Sequence, residues 1–170
     1  MQDTLPIHFA PLQGYTEAIY RNAHDAFFGG VDTYYTPFVR LEKGNFRRRD
    51  VRGIEPENNG VTHLIPQLIA SSAEKAEVIL SLFIEKGYQE VDINLGCPFP
   101  LLAKRHNGSG ILPYPEEVKA LLSIVTRYPQ ISFSVKMRLG WEQPDECLAL
   151  APILNDLPLR QITMHPRLGK

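Results

Sequence analysis

Short β-branched runs alternate with longer amphipathic stretches along this chain. The runs predict strands over residues 7–10, 33–36, 63–67, 90–94, 132–137 and 161–165. The stretches between them predict helices over 16–28, 72–86, 115–128 and 144–154. Local signals agree with those bounds. Ser71-Ser72 ahead of Glu74 suits a helix start, and Gly87 after Lys86 suits a helix stop. Pro115-Glu116-Glu117 puts proline in a first helical turn, with acids facing the positive end of the helix dipole. A repeating strand–helix unit is the pattern of an α/β fold with a parallel sheet. Residues 41–59 are the least regular and read as a partly helical excursion ending in a turn.

A parallel (β/α) barrel closes at eight strands in roughly 250 residues. The chain has 170 residues, and the sixth strand pattern lies just before its last residues, Leu168-Gly169-Lys170. The expectation is therefore a TIM barrel truncated to about its first six strand–helix units, the N-terminal part of a longer protein. An open sheet that ends here is the rival.

Composition narrows the class. The chain is 44% apolar and 22% charged, as globular domains are. A formal net charge of −1 argues against a basic nucleic-acid coat but says nothing of local patches. Cys97 and Cys147 are too few for a disulfide scaffold and lack zinc spacing, which suits a reducing, cytoplasmic location. Met1-Gln2-Asp3-Thr4 lacks the basic start of a signal peptide, and no apolar run is long enough to span a bilayer.

The polar residues gather where strands end. The first strand runs into Ala10-Pro11-Leu12-Gln13-Gly14, the third into Pro66-Gln67, and the fourth into Asn94-Leu95-Gly96-Cys97-Pro98. The fifth carries Lys136 and Arg138, and the sixth delivers His165 and Arg167. In a parallel barrel these ends share one rim, where the chemistry of such folds lies; the alternative is that strand ends are simply wetter than strand middles. Lys136 stands inside an apolar strand, where an ammonium needs an anion, an electron-rich ring or a salt bridge such as one with Asp92. Cys97 could be a nucleophile, a metal ligand, a proton donor or a space-filling thiol, although its place between glycine and proline favours presentation over packing. Cys147 reads as helix core. His8 and His63 read as structural, and His24 and His106 as exposed. Arg47-Arg48-Arg49 is either a solvated face or, with Lys104-Arg105, a polyanion contact. Gly108-Ser109-Gly110 permits a close backbone approach to a ligand or forms a plain turn.

Taken together, Ala10–Thr16 with Arg21, Pro66-Gln67-Leu68, Asp92–Pro98 with Gly108–Leu112, Val135–Gly140 and His165-Pro166-Arg167 resemble the tRNA-dihydrouridine synthases, in order and spacing, over essentially the whole chain. The resemblance implies an FMN-dependent TIM-barrel enzyme with a small C-terminal helical domain for tRNA. That enzyme is monomeric and reduces the C5–C6 bond of particular tRNA uridines with electrons from NADPH or NADH. It implies that Pro11, Leu12, Gln67, Lys136 and His165 hold the flavin. Asn94 and Arg138 would help to hold the flavin and the flipped uridine, and Cys97 would be the proton donor. Lys104, Arg105 and Arg167 would meet tRNA, and no metal is involved. Leu12 departs from the methionine that often follows the Ala-Pro pair. The last two strands and the helical domain are missing from the pattern, so the activity that the resemblance implies is that of the full protein. Two alternatives remain: an FMN barrel acting on dihydroorotate or a free pyrimidine, and an inactive fragment that only binds RNA.

Overall fold

The computed structural model describes residues 5–170. Met1–Thr4, on which the signal-peptide reading rests, lie outside the described residues. The chain divides into two compact units, Met1–Gln67 and Leu68–Lys170.

In the first unit, His8–Phe9 (β1), Thr33–Tyr35 (β2) and Leu64–Ile65 (β5) pair in parallel in the order β1-β2-β5. Ala18–Phe27 (α1) links the first two strands. The irregular stretch proves more ordered than its composition suggested. Leu41–Glu42 (β3) and Asn45–Phe46 (β4) form an antiparallel hairpin, and Arg48–Ile54 (α2) follows. The sheets are therefore not wholly parallel. The hairpin was illegible in the sequence because each strand is two residues long, too short for an alternation to show. The predicted third strand is interrupted at Pro66, which has no N–H for a ladder, so Gln67–Leu68 forms a separate short strand (β6).

Arg21 is the largest fully buried side chain here. Its guanidinium donates to the Thr16 carbonyl at 2.6 Å, the Gly53 carbonyl at 2.8 Å and Asn59 Oδ1 at 2.5 Å. It thus ties the start of α1 to the end of α2 and the turn beyond. His24, expected to be exposed, instead sits half-buried among Phe9, Phe28 and Tyr34, with Nδ1 3.0 Å from the Tyr34 hydroxyl. Period alone cannot tell an exposed helix position from one beneath a neighbouring aromatic.

The second unit is built on Glu90–Leu95 (β7), Ser132–Gly140 (β8) and Gln161–Leu168 (β9), parallel, in a sheet of order β6-β7-β8-β9 that Leu68 brings β6 into. Ala73–Glu85 (α3), Pro100–Ala103 (α4), Pro115–Arg127 (α5) and Glu146–Asn155 (α6) complete it. The expected caps are present. Ser72 Oγ accepts the Lys75 amide, Gly87 takes φ +85 beyond α3, and Pro115 opens α5.

Register explains how the sheet has two chemically distinct faces. Val91, Ile93 and Leu95 align with Phe133, Val135 and Met137, all fully buried. The alternate positions form polar layers: Asp92 beside Ser134 and Gln161, Asn94 beside Lys136 and Thr163, then Arg138 beside His165. Because side chains alternate along a strand, a period-2 pattern held in register across three strands must separate the two kinds. Buried Ile79, Leu80 and Phe83 of α3, Leu121, Leu122 and Val125 of α5, and Leu150 and Leu154 of α6 complete the apolar core. On β9 the apolar side is more open, with Ile162 41% and Met164 40% exposed.

Candidate functional site

The deepest polar layer carries an internal hydrogen bond. Ser134 Oγ donates to Asp92 Oδ1 at 2.6 Å, both side chains being buried. One layer nearer the strand ends lies Lys136. Its Nζ has no hydrogen bond or ion pair among the described residues. Burial pushes its pKa down from the usual lysine value, opposed by the charge of Asp92 and reinforced by that of Arg138. The expected alternative of a salt bridge to Asp92 is thus replaced by an electrostatic attraction without contact. His165 is held below the usual histidine value by burial first, and then by Arg138, Lys136 and Arg167. Both effects disfavour the protonated imidazole.

The turn bearing Cys97 is built by Asn94. Its Oδ1 accepts the Gly96 amide at 3.0 Å and the Cys97 amide at 2.9 Å, bending the chain sharply where β7 ends. From the far side of the loop, the Ser109 amide and hydroxyl both donate to the Cys97 carbonyl at 3.0 Å. Gly108, at φ +60, lies so close that a Cβ there would stand 2.5 Å from the Cys97 oxygen and 2.8 Å from its Cβ. The close approach permitted by this glycine is therefore to the chain's own backbone. Cys97 is half-buried and is not packed away in the apolar core.

Arg138 braces the same region. Nε donates to the Gly96 carbonyl at 2.8 Å and Nη1 to the Leu168 carbonyl at 2.5 Å, linking the ends of β7 and β9. Gly169 adjoins both Trp141 and Ser109; a Cβ there would be 2.3 Å from the indole and 2.5 Å from Ser109 Oγ. The loop after β8 is fixed by Glu146, which accepts amides from Trp141, Glu142 and Gln143. Ser109 and Trp141 were not singled out from sequence. A serine between glycines reads as turn filler until its hydroxyl is seen on the Cys97 carbonyl.

Asn94, Lys136, Arg138 and His165 occupy neighbouring register positions of β7, β8 and β9, and Cys97 lies in the turn that follows β7. Arg167 is exposed at the end of β9, and Lys104 and Arg105 are exposed in the loop after α4. Pro11, Leu12 and Gln67 belong to the first unit. There Leu12 is exposed, and its amide is held by Thr16 Oγ1 at 2.9 Å. Gln67 is buried, its amide donating to Thr36 Oγ1 at 3.0 Å and its carbonyl accepting the Val39 amide at 2.8 Å. The arginine run is divided. Arg47 and Arg49 pair with Glu42 and Glu17, whereas Arg48 and Arg52 are exposed. Cys147 donates its thiol to the Pro144 carbonyl at 3.2 Å. No group of three or more histidines, cysteines and carboxylates fit to hold a metal occurs among the described residues. None of the described helices is long and apolar enough to cross a membrane.

Parallel strands that carry a thiol turn, a partly buried lysine and a histidine of lowered pKa at neighbouring register positions define an α/β protein with a candidate site near its strand ends. The sequence profile of the dihydrouridine synthase (Dus) family matches residues 8–170, and the chain belongs to that family. Among curated relatives, "tRNA-dihydrouridine synthase B" of Klebsiella pneumoniae is 29% identical over 102 residues, covering 59% of this chain and 32% of that protein. "Probable tRNA-dihydrouridine synthase 1" of Synechocystis is 28% identical over 165 residues, covering 93% and 44%. The Pasteurella multocida synthase B is 24% identical over 162 residues, covering 95% and 48%. The chain thus spans between about a third and a half of the length of these relatives.

Proposed function

We propose that the protein converts uridines of tRNA to 5,6-dihydrouridine, with this chain forming the N-terminal part of a (β/α)8 barrel. The remaining strands and a helical tRNA-binding domain lie outside it, a reading supported by the greater length of the relatives. The observation that carries the chemistry is Lys136. It is a partly buried ammonium without a hydrogen-bond partner among the described residues, one layer from the Cys97 turn and near His165, whose pKa is lowered. Such a group fits an electron-rich ring that gains negative charge, as a flavin does.

Reduced FMN, recharged by NADPH or NADH, would supply hydride to uracil C6. Lys136 and His165 would hold the ring. Lys136 would stabilise negative charge beside it, and His165 would add a hydrogen bond. Cys97 gives its proton to C5; a thiol with an ordinary pKa of about 8.5 is mostly protonated at neutral pH and can do so. The thiolate left behind regains a proton from solvent. Asn94 and Arg138 fix the turn that aims the thiol and would border the base. Lys104, Arg105 and Arg167 would meet phosphates, offsetting the few kcal/mol needed to unstack the uridine.

The complete protein should purify yellow and form dihydrouridine in unmodified bulk tRNA while leaving free uracil and dihydroorotate unchanged. Cys97→Ala should keep flavin reduction by NADPH and lose dihydrouridine formation. Full turnover by that variant removes the thiol from the mechanism, and turnover of dihydroorotate or free uracil instead of tRNA replaces the substrate.

A further inference from the structure

His106 was expected to be exposed; its side chain is 36% exposed, yet it is held by specific contacts. It is one of two non-glycine residues at positive φ among those described, with φ 52. A side chain in the left-handed region is unfavourable, and it persists where the surroundings over-determine it. Here they do. The imidazole stacks on Tyr114 with ring centroids 4.2 Å apart and planes 11° from parallel. Its Nδ1 lies 2.7 Å from Glu117 Oε2. Both partners are anchored at the start of α5, where Tyr114 precedes Pro115 and the Glu117 amide donates to the Tyr114 carbonyl at 3.0 Å.

The segment that His106 fastens is a strap. It leaves Cys97, turns through α4, and comes back so that Ser109 and Gly108 lie on the Cys97 backbone. The His106 amide donates to the Ala103 carbonyl at 2.9 Å and the Asn107 amide to that of Leu102 at 3.1 Å, so the bend itself is closed. These bonds shape the strap, and the buried Ser109, Ile111 and Leu112 pack its returning end into the unit. His106, through Tyr114 and Glu117, adds a side-chain attachment to the start of α5.

We infer that His106 is a positioning residue: its contacts with Tyr114 and Glu117 latch the returning strap and so hold Ser109 on the carbonyl of Cys97. Its consequence for catalysis rests on the proposed role of Cys97; the latch itself does not.

The test is amide hydrogen exchange in the complete protein. His106→Asn tolerates the left-handed backbone but cannot keep the stack or reach Glu117. It should speed exchange of the Ser109 amide about tenfold, equivalent to ~1.4 kcal/mol of easier local opening. The amides of Leu80 and Phe83 in α3 should not change. Tyr114→Phe keeps the stacked ring and should behave as the parent protein, whereas Tyr114→Ala should open the strap. Unchanged Ser109 exchange in His106→Asn overturns the latch, as does acceleration shared equally with Leu80 and Phe83. In the flavin-loaded protein, His106→Asn should lower kcat for dihydrouridine formation with little change in KM for tRNA; an unchanged kcat beside an opened strap overturns the catalytic consequence. If Cys97→Ala is itself active, the reading of Cys97 fails, and the latch is judged on exchange alone.

Discussion

Gly108→Ala should be among the most damaging single-methyl additions in this chain, and its cost can be separated into two parts. The first is backbone: φ is +60, and a left-handed L-residue costs about 1–2 kcal/mol. The second is crowding. The new Cβ would stand 2.5 Å from the Cys97 oxygen, 2.8 Å from its Cβ and 2.9 Å from its amide nitrogen. None of these atoms is the end of a flexible side chain, so backbone must move, and overpacking of this kind costs about 1–3 kcal/mol. Together they amount to roughly 2–5 kcal/mol. For a urea slope of ~2 kcal/mol/M, the unfolding midpoint should fall by about 1–2.5 M. Gly87→Ala is the control: φ is +85, yet a Cβ there meets nothing within 4 Å. It should show the backbone cost alone, about 1–2 kcal/mol. Urea unfolding of both variants, followed by circular dichroism, measures the difference. If Gly108→Ala is no more destabilised than Gly87→Ala, the strap does not bear on Cys97 as described.

Other consequences can be checked independently. Lys136→Met keeps the methylene stem and removes the charge; losing one hydrogen bond to a charged group is worth about 1.5–3 kcal/mol, so FMN affinity of the complete protein should fall roughly 10- to 100-fold by equilibrium fluorescence titration. Unaltered affinity would place that ammonium away from the ring. The His165 imidazole should titrate below 6.5 by NMR, because burial and the charges of Arg138, Lys136 and Arg167 disfavour its protonated form. Between that lowered midpoint and 6.5 the unfolded chain binds more protons than the folded one, so this residue makes stability fall as pH drops through the window. His165→Gln should flatten that part of the thermal-stability profile, and a slope left intact would assign it to another group.

Much of this protein could be read from its sequence. The order of strands and helices, the caps at Ser72, Gly87 and Pro115, and the Asn94–Pro98 motif were all legible. Each is a property of a few consecutive residues: period 2 or 3.6 records which side meets apolar neighbours, and caps depend on backbone rules that hold in any fold. The sequence also placed Lys136 and Asn94 on separate strands, and only register made them neighbours in one polar layer. Tertiary structure alone decided the rest. Asn94 spends its carbonyl oxygen on a turn, Arg138 holds two backbone carbonyls, and Gly108 lies against Cys97. His106, still partly exposed, is stacked on Tyr114 and bonded to Glu117. These facts escape a one-dimensional reading because each joins a side chain to a backbone or ring brought near by how a loop returns, and nothing in local periodicity encodes that path.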